Sequence, residues 1–120
     1  DAALAASGTV TTELAVARVP MIAAYRLGWL TAAIWRRLVT VPHFTIVNLV
    51  LGRRAIPEFL QEGVNPMDMA EALAPLLRGG PEAAAQCAAL AEAVAKLDSG
   101  EPTSRRAART ILAIATARRA

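Results

Sequence analysis

The first half of the chain alternates short, continuously apolar runs with stretches whose apolar residues recur at helical spacing. The runs at 2–6 and 21–25 are typical of strands that are buried on both faces of a parallel sheet. Helical spacing covers residues 10–19 and again residues 30–39. Residues 44–50 are rich in β-branched side chains and predict a third strand. This order predicts an α/β fold with three short parallel strands.

The second half is divided by glycine and proline into three further segments. The apolar spacing predicts helices over residues 67–77, 82–96 and 103–119. Asn65 and Pro66 supply a cap and a first-turn proline, which favour the start of the first of these helices. The chain is therefore predicted to be α/β in its first half and helical in its second.

The composition excludes several classes of protein. At 120 residues the chain is one domain at most, and its 55% hydrophobic content argues against disorder. Cys87 is the only cysteine and His43 the only histidine, which excludes a disulfide framework and a Cys/His zinc site made by this chain alone. Both are interpreted as structural, in a reducing compartment.

No apolar run reaches the ~18 residues of a membrane span. Because the chain opens at Asp1 on a predicted strand, we expect a piece of a longer protein.

Basic residues are concentrated in one stretch. The chain has 13 Lys and Arg against 10 Asp and Glu, yet no acidic residue lies between Glu13 and Glu58. This arginine block consists of Arg18, Arg26, Arg36, Arg37, Arg53 and Arg54. Such a block attracts phosphorylated ligands or an anionic membrane surface, whereas nucleic acid fits least because interleaved stacking aromatics are missing. The alternative is a solvated face whose acidic partners lie elsewhere in the longer chain.

Ser7, Gly8 and Thr9 stand where the first predicted strand meets the first helix. In open parallel sheets this position presents free backbone N–H groups and the positive end of a helix to a phosphate. Gly8 lets the backbone approach, and Glu13, one turn further on, can accept both hydroxyls of a ribose. The same residues are also ordinary helix caps and a first-turn acid, so their position alone does not separate the two interpretations.

Further polar residues follow the next two predicted strands. Tyr25 and Arg26 end the second strand, and Asn48 lies near the end of the third. Because ligands of open parallel sheets bind outside the carboxyl ends of the strands, we expect these residues to converge with residues 7–9 on one edge. As alternatives, Arg26 extends into solvent and Asn48 caps a turn. No catalytic triad, Walker loop or paired carboxylate is visible.

Two strings, ASGTVTTE at 6–13 and VPMIAAYR at 19–26, closely resemble the C-terminal domain of the lipid-A-disaccharide synthase family. The match continues with WRRLV at 35–39, NLVLGR at 48–53 and PEFLQE at 57–62. These segments keep the family's order and spacing through the first helix of the second half, and the remaining helices match in pattern only.

The resemblance implies an α/β fold that is a partial Rossmann-like domain of a two-domain, GT-B type glycosyltransferase. Residues 1–65 are then the nucleotide-sugar-binding segment and residues 66–120 a helical segment of the same domain. The implied activity is inverting transfer of 2,3-diacylglucosamine from its UDP derivative to 2,3-diacylglucosamine 1-phosphate (lipid X), releasing UDP, in lipid A biosynthesis. The resemblance implies no cofactor and no metal, a cytoplasmic enzyme peripheral on the inner face of the inner membrane, and it allows a homodimer. The general base is expected outside this chain, which alone is expected to be inactive.

The same resemblance assigns the substrate contacts residue by residue. The main candidates would contact the donor: Ser7, Gly8 and Thr9 at the UDP diphosphate, Glu13 at the ribose, and Arg26 and Asn48 at the donor phosphate and sugar. The weaker candidates are Tyr25, Arg53 and Gln61. Stabilising a leaving diphosphate is electrostatic catalysis, which suits an arginine-rich edge lined with N–H groups.

Three departures from the family pattern bear on these assignments. Thr12, Val47 and Arg54 stand where the family usually has Leu, Pro and Glu, and they weaken the assignment of Arg53 more than that of Glu13. Two other interpretations remain open at the level of sequence. One is another GT-B member, such as a peptidoglycan N-acetylglucosaminyltransferase or a UDP-sugar epimerase. The other is a cationic module that binds an anionic membrane, which explains the arginine block but leaves the spacing of Glu13 as coincidence.

Overall fold

The computed structural model describes residues 1–6, 8–28, 42–98 and 100–117. In chain order the elements are β1 (Ala3–Ala6), α1 (Thr9–Val16), β2 (Met21–Tyr25), α2 (Ile46–Leu51), β3 (Glu58–Leu60), a 3-10 turn (Gln61–Gly63), α3 (Pro66–Leu77), α4 (Pro81–Leu97) and α5 (Thr103–Ala117). Strands and helices therefore alternate in the first half, and only helices follow Pro66.

The three strands form one parallel sheet in the order β1–β2–β3. Ala3 lies opposite Met21 in the first pairing, and Ala23 lies opposite Glu58 in the second. Because the strands run in the same direction, the segments that leave them meet at one carboxyl edge of the sheet. The predicted fold class and the number of strands are confirmed.

Helices cover both faces of this sheet. On one face α1, α2 and α4 enclose a core in which Met21, Val47, Ile56 and Leu90 are fully buried. On the other face α3 packs against β2 around Ile22. β2 is covered on both sides and so lacks a polar face, which is why it is visible in the sequence as a continuous apolar run. In β1 Ala5 is buried, whereas Leu4 on the other face is 54% exposed.

A buried glutamine ties α4 to the sheet. The Gln86 side chain accepts a hydrogen bond from the Met21 N–H with Oε1, and its Nε2 donates to the Ala55 carbonyl at 3.1 Å. These backbone groups lie at the start of β2 and on the approach to β3. Gln86 therefore holds the amino ends of two strands against the helix, a role that nothing in the alanine-rich segment indicates.

The third strand is not where the β-branched run predicts it. The prediction of a strand over residues 44–50 is wrong, because this stretch contains α2 and the third strand is β3. Thr45 caps the helix by accepting from the Asn48 N–H, and Gly52 ends it in the left-handed region at φ +65°. These end signals, with the burial of Val47 and Asn48 on one side of the helix, override a β propensity that chiefly reflects packing.

The other predicted elements are confirmed with shifted ends. α1 stops at Val16, and Arg18 turns the chain toward β2 with a positive φ of 55°. Asn65 caps α3 as predicted, accepting from the Met67 N–H at 3.0 Å. The helix predicted over residues 30–39 lies outside the described residues.

α5 stands apart from both cores. None of its described residues is buried, and Ile111, Leu112 and Ile114 are each more than half exposed. In the described ranges, the structure contains no helix with both the length and the apolar character needed to span a bilayer. The stability of the sheet therefore depends on α1 to α4 and not on α5.

Candidate site at the carboxyl edge of the sheet

The loop between β1 and α1 directs the start of the helix toward the carboxyl edge. Gly8, the residue before the helix, has φ +143° and ψ −157°, a backbone conformation that is essentially confined to glycine. The hydroxyl of the buried Thr11 donates to the Gly8 carbonyl at 2.7 Å and fixes the turn. Glycine is therefore required here by the backbone itself, independently of the close approach of a ligand.

The first turn of α1 is exposed at this edge. Gly8 and Thr9 are both exposed, and in the part of the chain that the structure describes no side chain caps this helix. The first N–H groups of a helix lack intrahelical partners, so this end offers hydrogen-bond donors and a partial positive charge. Glu13 is exposed one turn further on, on the same side of the helix as Thr9. The predicted grouping of Gly8, Thr9 and Glu13 is present, while Ser7 lies outside the described residues.

Tyr25 and Arg26 leave β2 at the same edge. Tyr25 is 42% exposed, and the exposed Arg26 side chain donates from Nη2 to the Val64 carbonyl at 3.4 Å. Gln61, which follows β3, also lies at this edge, but its side-chain amide contacts the backbone of Leu27. The Arg26 guanidinium at this edge is therefore held by the turn after β3 and is still reached by solvent.

Glu58 is the centre of a set of structural hydrogen bonds that the sequence analysis missed. Its Oε1 accepts from the backbone N–H groups of Phe44 and Thr45 at 3.1 and 2.7 Å and from the Thr45 hydroxyl at 2.7 Å. Its Oε2 lies 3.1 Å from His43 Nδ1. Only 7% of the Glu58 side chain is exposed. The carboxylate thus fastens the entry of α2 to β3, and His43 is structural, as predicted.

The contacts of Glu58 set its protonation. Burial raises the pKa of the Glu58 carboxyl, but hydrogen bonds from the hydroxyl and backbone of Thr45, with smaller contributions from Asn48 and His43, outweigh burial. The pKa therefore lies below the ordinary glutamate value of 4.5. A lowered pKa in the folded state means that the ionised carboxylate stabilises the fold.

This stabilisation should depend on pH in a definite direction. Because the folded pKa of Glu58 is lowered, its contribution is fully present above pH 4.5 and is lost as the pH falls through that value and then through the folded pKa. We expect Glu58→Gln to lower the free energy of unfolding by about 1–3 kcal/mol at pH 7. Chemical denaturation between pH 3 and pH 7 should show this difference shrinking as the pH falls. A difference that stays constant over that range would contradict the assignment.

Asn48 does not lie at the carboxyl edge. Its side chain is fully buried in α2, where Oδ1 accepts from the N–H groups of Ala55 and Ile56 at 2.8 and 2.9 Å. Nδ2 donates to the Ile56 carbonyl at 2.8 Å. The prediction that places Asn48 at the end of the third strand is wrong, because the residue belongs to a helix and its amide fastens the segment that enters β3.

The arginine block is spread over the molecule rather than gathered into one patch. Arg26 lies at the carboxyl edge, whereas Arg18 and Arg53 lie in the connections that enter β2 and β3, at the opposite ends of the strands. Arg53 is hydrogen-bonded to the carboxylate of Glu92 on α4. Arg36 and Arg37 lie outside the described residues. Among the described arginines of the block, only Arg26 is brought to the candidate site, and the structure does not bring Arg53 to it.

The three departures from the family pattern have distinct surroundings. The Thr12 hydroxyl is buried without a hydrogen-bond partner in the described ranges, a cost that Leu would avoid. Val47 is fully buried in the core, and Arg54 donates from Nη2 to the Glu58 carbonyl at 3.1 Å. All three lie in contacts within the chain, so they leave the exposed residues Gly8, Thr9 and Glu13 unchanged.

Cys87 belongs to the supporting structure. It is half-buried on α4, with Sγ 3.4 Å from the Arg18 carbonyl at the far end of the strands. In the portion of the chain that the structure describes, no group of three or more His, Cys, Asp or Glu residues is arranged to hold a metal ion. The first N–H groups of α1 and the exposed Arg26 guanidinium give the edge hydrogen-bond donors and positive charge.

The class of protein follows from this topology. In an open parallel α/β sheet, nucleotides bind where a helix begins beyond the carboxyl end of a strand, and this chain forms part of such a Rossmann-like domain. A profile of the family described as lipid-A-disaccharide synthetase matches residues 1–114. The chain belongs to this family, and the predicted GT-B fold class is thereby confirmed.

Curated relatives agree with this assignment. The chain is 42% identical over 118 residues to the lipid-A-disaccharide synthase of Rhodospirillum centenum, which covers 98% of this chain and 29% of that protein. Identity is 43% over 115 residues with the synthase of Azotobacter vinelandii, covering 96% and 29% of the two chains. The chain is 45% identical over 95 residues to the lipid-A-disaccharide synthase of Gluconobacter oxydans, and this match covers 79% of this chain and 23% of that protein. The chain thus spans less than a third of the length of these relatives. Because the family model and the relatives all indicate lipid-A-disaccharide synthase, the alternative GT-B enzymes and the cationic membrane-binding module are not favoured.

Proposed function

We propose that this chain forms the C-terminal, UDP-sugar-binding part of a lipid-A-disaccharide synthase. The complete enzyme transfers 2,3-diacylglucosamine from its UDP derivative to 2,3-diacylglucosamine 1-phosphate and releases UDP. The family match over residues 1–114 and the three relatives named above support this proposal.

One observation carries the assignment of the donor site. Gly8 opens α1 at the carboxyl edge, and Thr9 and Glu13 follow on one side of that helix, four residues apart. A diphosphate that accepts hydrogen bonds from the first N–H groups of α1 leaves its ribose beside the Glu13 carboxylate. The carboxylate accepts from the two ribose hydroxyls, so one exposed turn of helix recognises both parts of the nucleotide.

Arg26 supplies the positive charge for the leaving group. Its guanidinium is exposed next to Val64 in the turn after β3, and charge-assisted hydrogen bonds to phosphate are about twice as strong as neutral ones. As the sugar leaves the diphosphate, negative charge builds up on UDP, and preorganised donors at this edge stabilise it. Ser7 adds a hydroxyl at the diphosphate, and Tyr25 is a weaker candidate for a substrate contact at the same edge. The general base comes from outside this chain, so the chain alone is inactive.

The remaining parts of the proposal concern the complete enzyme. Residues 1–65 contact the nucleotide sugar, and residues 66–120 form the helical segment that supports them. Since donor and acceptor both carry acyl chains, the enzyme works at the inner face of the inner membrane as a peripheral protein. It uses no cofactor or metal, binds no nucleic acid, and is compatible with a homodimer.

Replacing Glu13 by alanine is the direct test of this donor site. In a complete synthase that carries this sequence, Glu13→Ala should weaken UDP binding about tenfold, because the ribose loses a charged acceptor for its hydroxyls. Isothermal titration calorimetry with UDP measures the affinity without the second substrate. Unchanged affinity would remove Glu13 from the site.

Glu71→Ala is the matched control for this experiment. Glu71 is an exposed acid on α3, and its removal changes the net charge of the protein by the same amount as Glu13→Ala. It should leave UDP affinity as it is. An equal loss with both variants would point to a general effect of charge and would count against a specific ribose contact.

A further inference from the structure

The turn that follows β3 holds the segment that follows β2. The Gln61 Oε1 accepts from the Leu27 N–H at 2.6 Å, and the Gln61 Nε2 donates to the Leu27 carbonyl at 3.3 Å. Regular pairing of β2 with β3 ends one step earlier, at Tyr25 opposite Leu60. Beyond the last β2–β3 pair, the Gln61 side chain therefore supplies the hydrogen bonds that a neighbouring strand would supply. It pairs with both the N–H and the carbonyl of Leu27.

The backbone of Gln61 shows that its side chain is needed. Gln61 has φ +54°, in the left-handed region that glycine adopts freely and that other residues adopt at a cost in energy. Glycine would fit this backbone better, but it has no amide to offer Leu27. A non-glycine residue in this conformation, with its side chain committed to two specific contacts, indicates a function for the side chain.

The same turn also contacts Arg26. Val64 closes the turn by donating its N–H to the Gln61 carbonyl at 3.1 Å, and the Val64 carbonyl accepts from Arg26 Nη2 at 3.4 Å. The backbone just after Arg26 and the end of its side chain are thus held by one short segment. A change in that segment moves the guanidinium even though Gln61 itself does not touch a ligand.

We propose that Gln61 is a positioning residue for the donor site: by clamping the Leu27 peptide, it sets the direction in which Arg26 meets the donor diphosphate. The proposal rests on the proposed function, in which Arg26 binds that diphosphate. It also replaces the direct substrate contact predicted for Gln61 from the sequence, because both ends of the amide are already occupied within the chain.

The test is a double-mutant cycle in a complete synthase that carries this sequence, with UDP as the probe. Gln61→Gly removes the amide, and the backbone relief at φ +54° offsets part of the two lost hydrogen bonds, so the fold should be retained. UDP affinity should fall about tenfold in the background that keeps Arg26, and it should not fall further when Arg26→Ala is already present. In kinetics, KM for the donor should rise about as much, with KM for the acceptor unchanged.

A second variant separates the amide from the backbone. Gln61→Asn keeps an amide and tolerates a positive φ, but it is one methylene shorter and cannot span both groups of Leu27. It should behave as Gln61→Gly does. Donor binding restored by asparagine to the original level would overturn the clamp.

The remaining outcomes distinguish this inference from the function on which it rests. Unchanged UDP affinity in Gln61→Gly, or the same loss with and without Arg26, would overturn the positioning role. If Arg26→Ala leaves UDP binding intact while Glu13→Ala weakens it, the positioning role fails and the donor site stands. If neither Arg26→Ala nor Glu13→Ala weakens UDP binding, the proposed function fails as well.

Discussion

Asn48→Ala is expected to lower the free energy of unfolding by about 3–5 kcal/mol, because it removes the hydrogen-bond partners of three backbone groups. The N–H groups of Ala55 and Ile56 and the carbonyl of Ile56 all pair with the Asn48 amide, and Asn48 and Ile56 are fully buried. Alanine leaves these groups without partners and opens a cavity between α2 and the segment entering β3. Urea denaturation of a synthase carrying the change measures the loss.

Two matched variants define the origin of this loss. Asn48→Asp keeps an acceptor for both N–H groups, but it replaces the donor to Ile56 by an oxygen and buries a carboxyl group, so its stability should fall at least as far as the lost donor requires. Leu49→Ala changes the next residue of the same helix, which is 45% exposed, and should alter stability by less than about 1 kcal/mol. A loss for Leu49→Ala as large as that for Asn48→Ala would mean that α2 tolerates no substitution and that the amide is not special.

Gly8→Val is expected to weaken UDP binding about 100-fold in a complete synthase. Valine is strained at φ +143° and ψ −157°, so the loop must change its path and carry the first N–H groups of α1 away from the diphosphate. Apart from Gly8 and its chain neighbours, no atom of the described residues lies within 4 Å of the position that a Cβ would take, so the expected effect comes from backbone conformation. Calorimetry with UDP measures the affinity.

Gly79→Val is the control for backbone strain. Gly79 has a positive φ of 69°, is exposed after α3 and also has open space around it. Its substitution should cost about 1–2 kcal/mol of stability and leave UDP affinity unchanged. Should Gly8→Val bind UDP as the unmodified protein does, the start of α1 is not where the diphosphate lies.

Part of this fold could be predicted because its signals are local. β1 and β2 are apolar on both faces, so each is visible as a short run without reference to the rest of the chain. The start of α1 is similarly marked, since Gly8 follows a strand and precedes helical spacing. For the same reason the prediction that residues 7–9, Tyr25 and Arg26 lie at one edge needed only the order of strands and the rule that parallel strands end together. Asn48 was assigned to that edge through a strand that is a helix in the structure.

The parts that could not be predicted depend on contacts between distant segments. β3 has three residues and begins with a charged one, and it is a strand because β2 offers it a partner. α2 has a β-branched sequence, and its helix is decided by Thr45 and Gly52 at its ends. The Glu58 carboxylate meets residues 13 to 15 positions away, so its role depends on where α2 lies. The amino-acid composition and the local sequence pattern do not predict a contact of this kind.

The bond between Gln86 and Met21 joins residues 65 positions apart, and it bears on how the chain folds during synthesis. β1 and β2 leave the ribosome before Leu90 and Ala93, which complete their core and are made many residues later. Until α4 emerges, one face of the nascent sheet remains exposed to solvent and to other chains. High sequence separation slows folding and lengthens this exposure, so the growing polypeptide presents an apolar surface of the kind that chaperones bind.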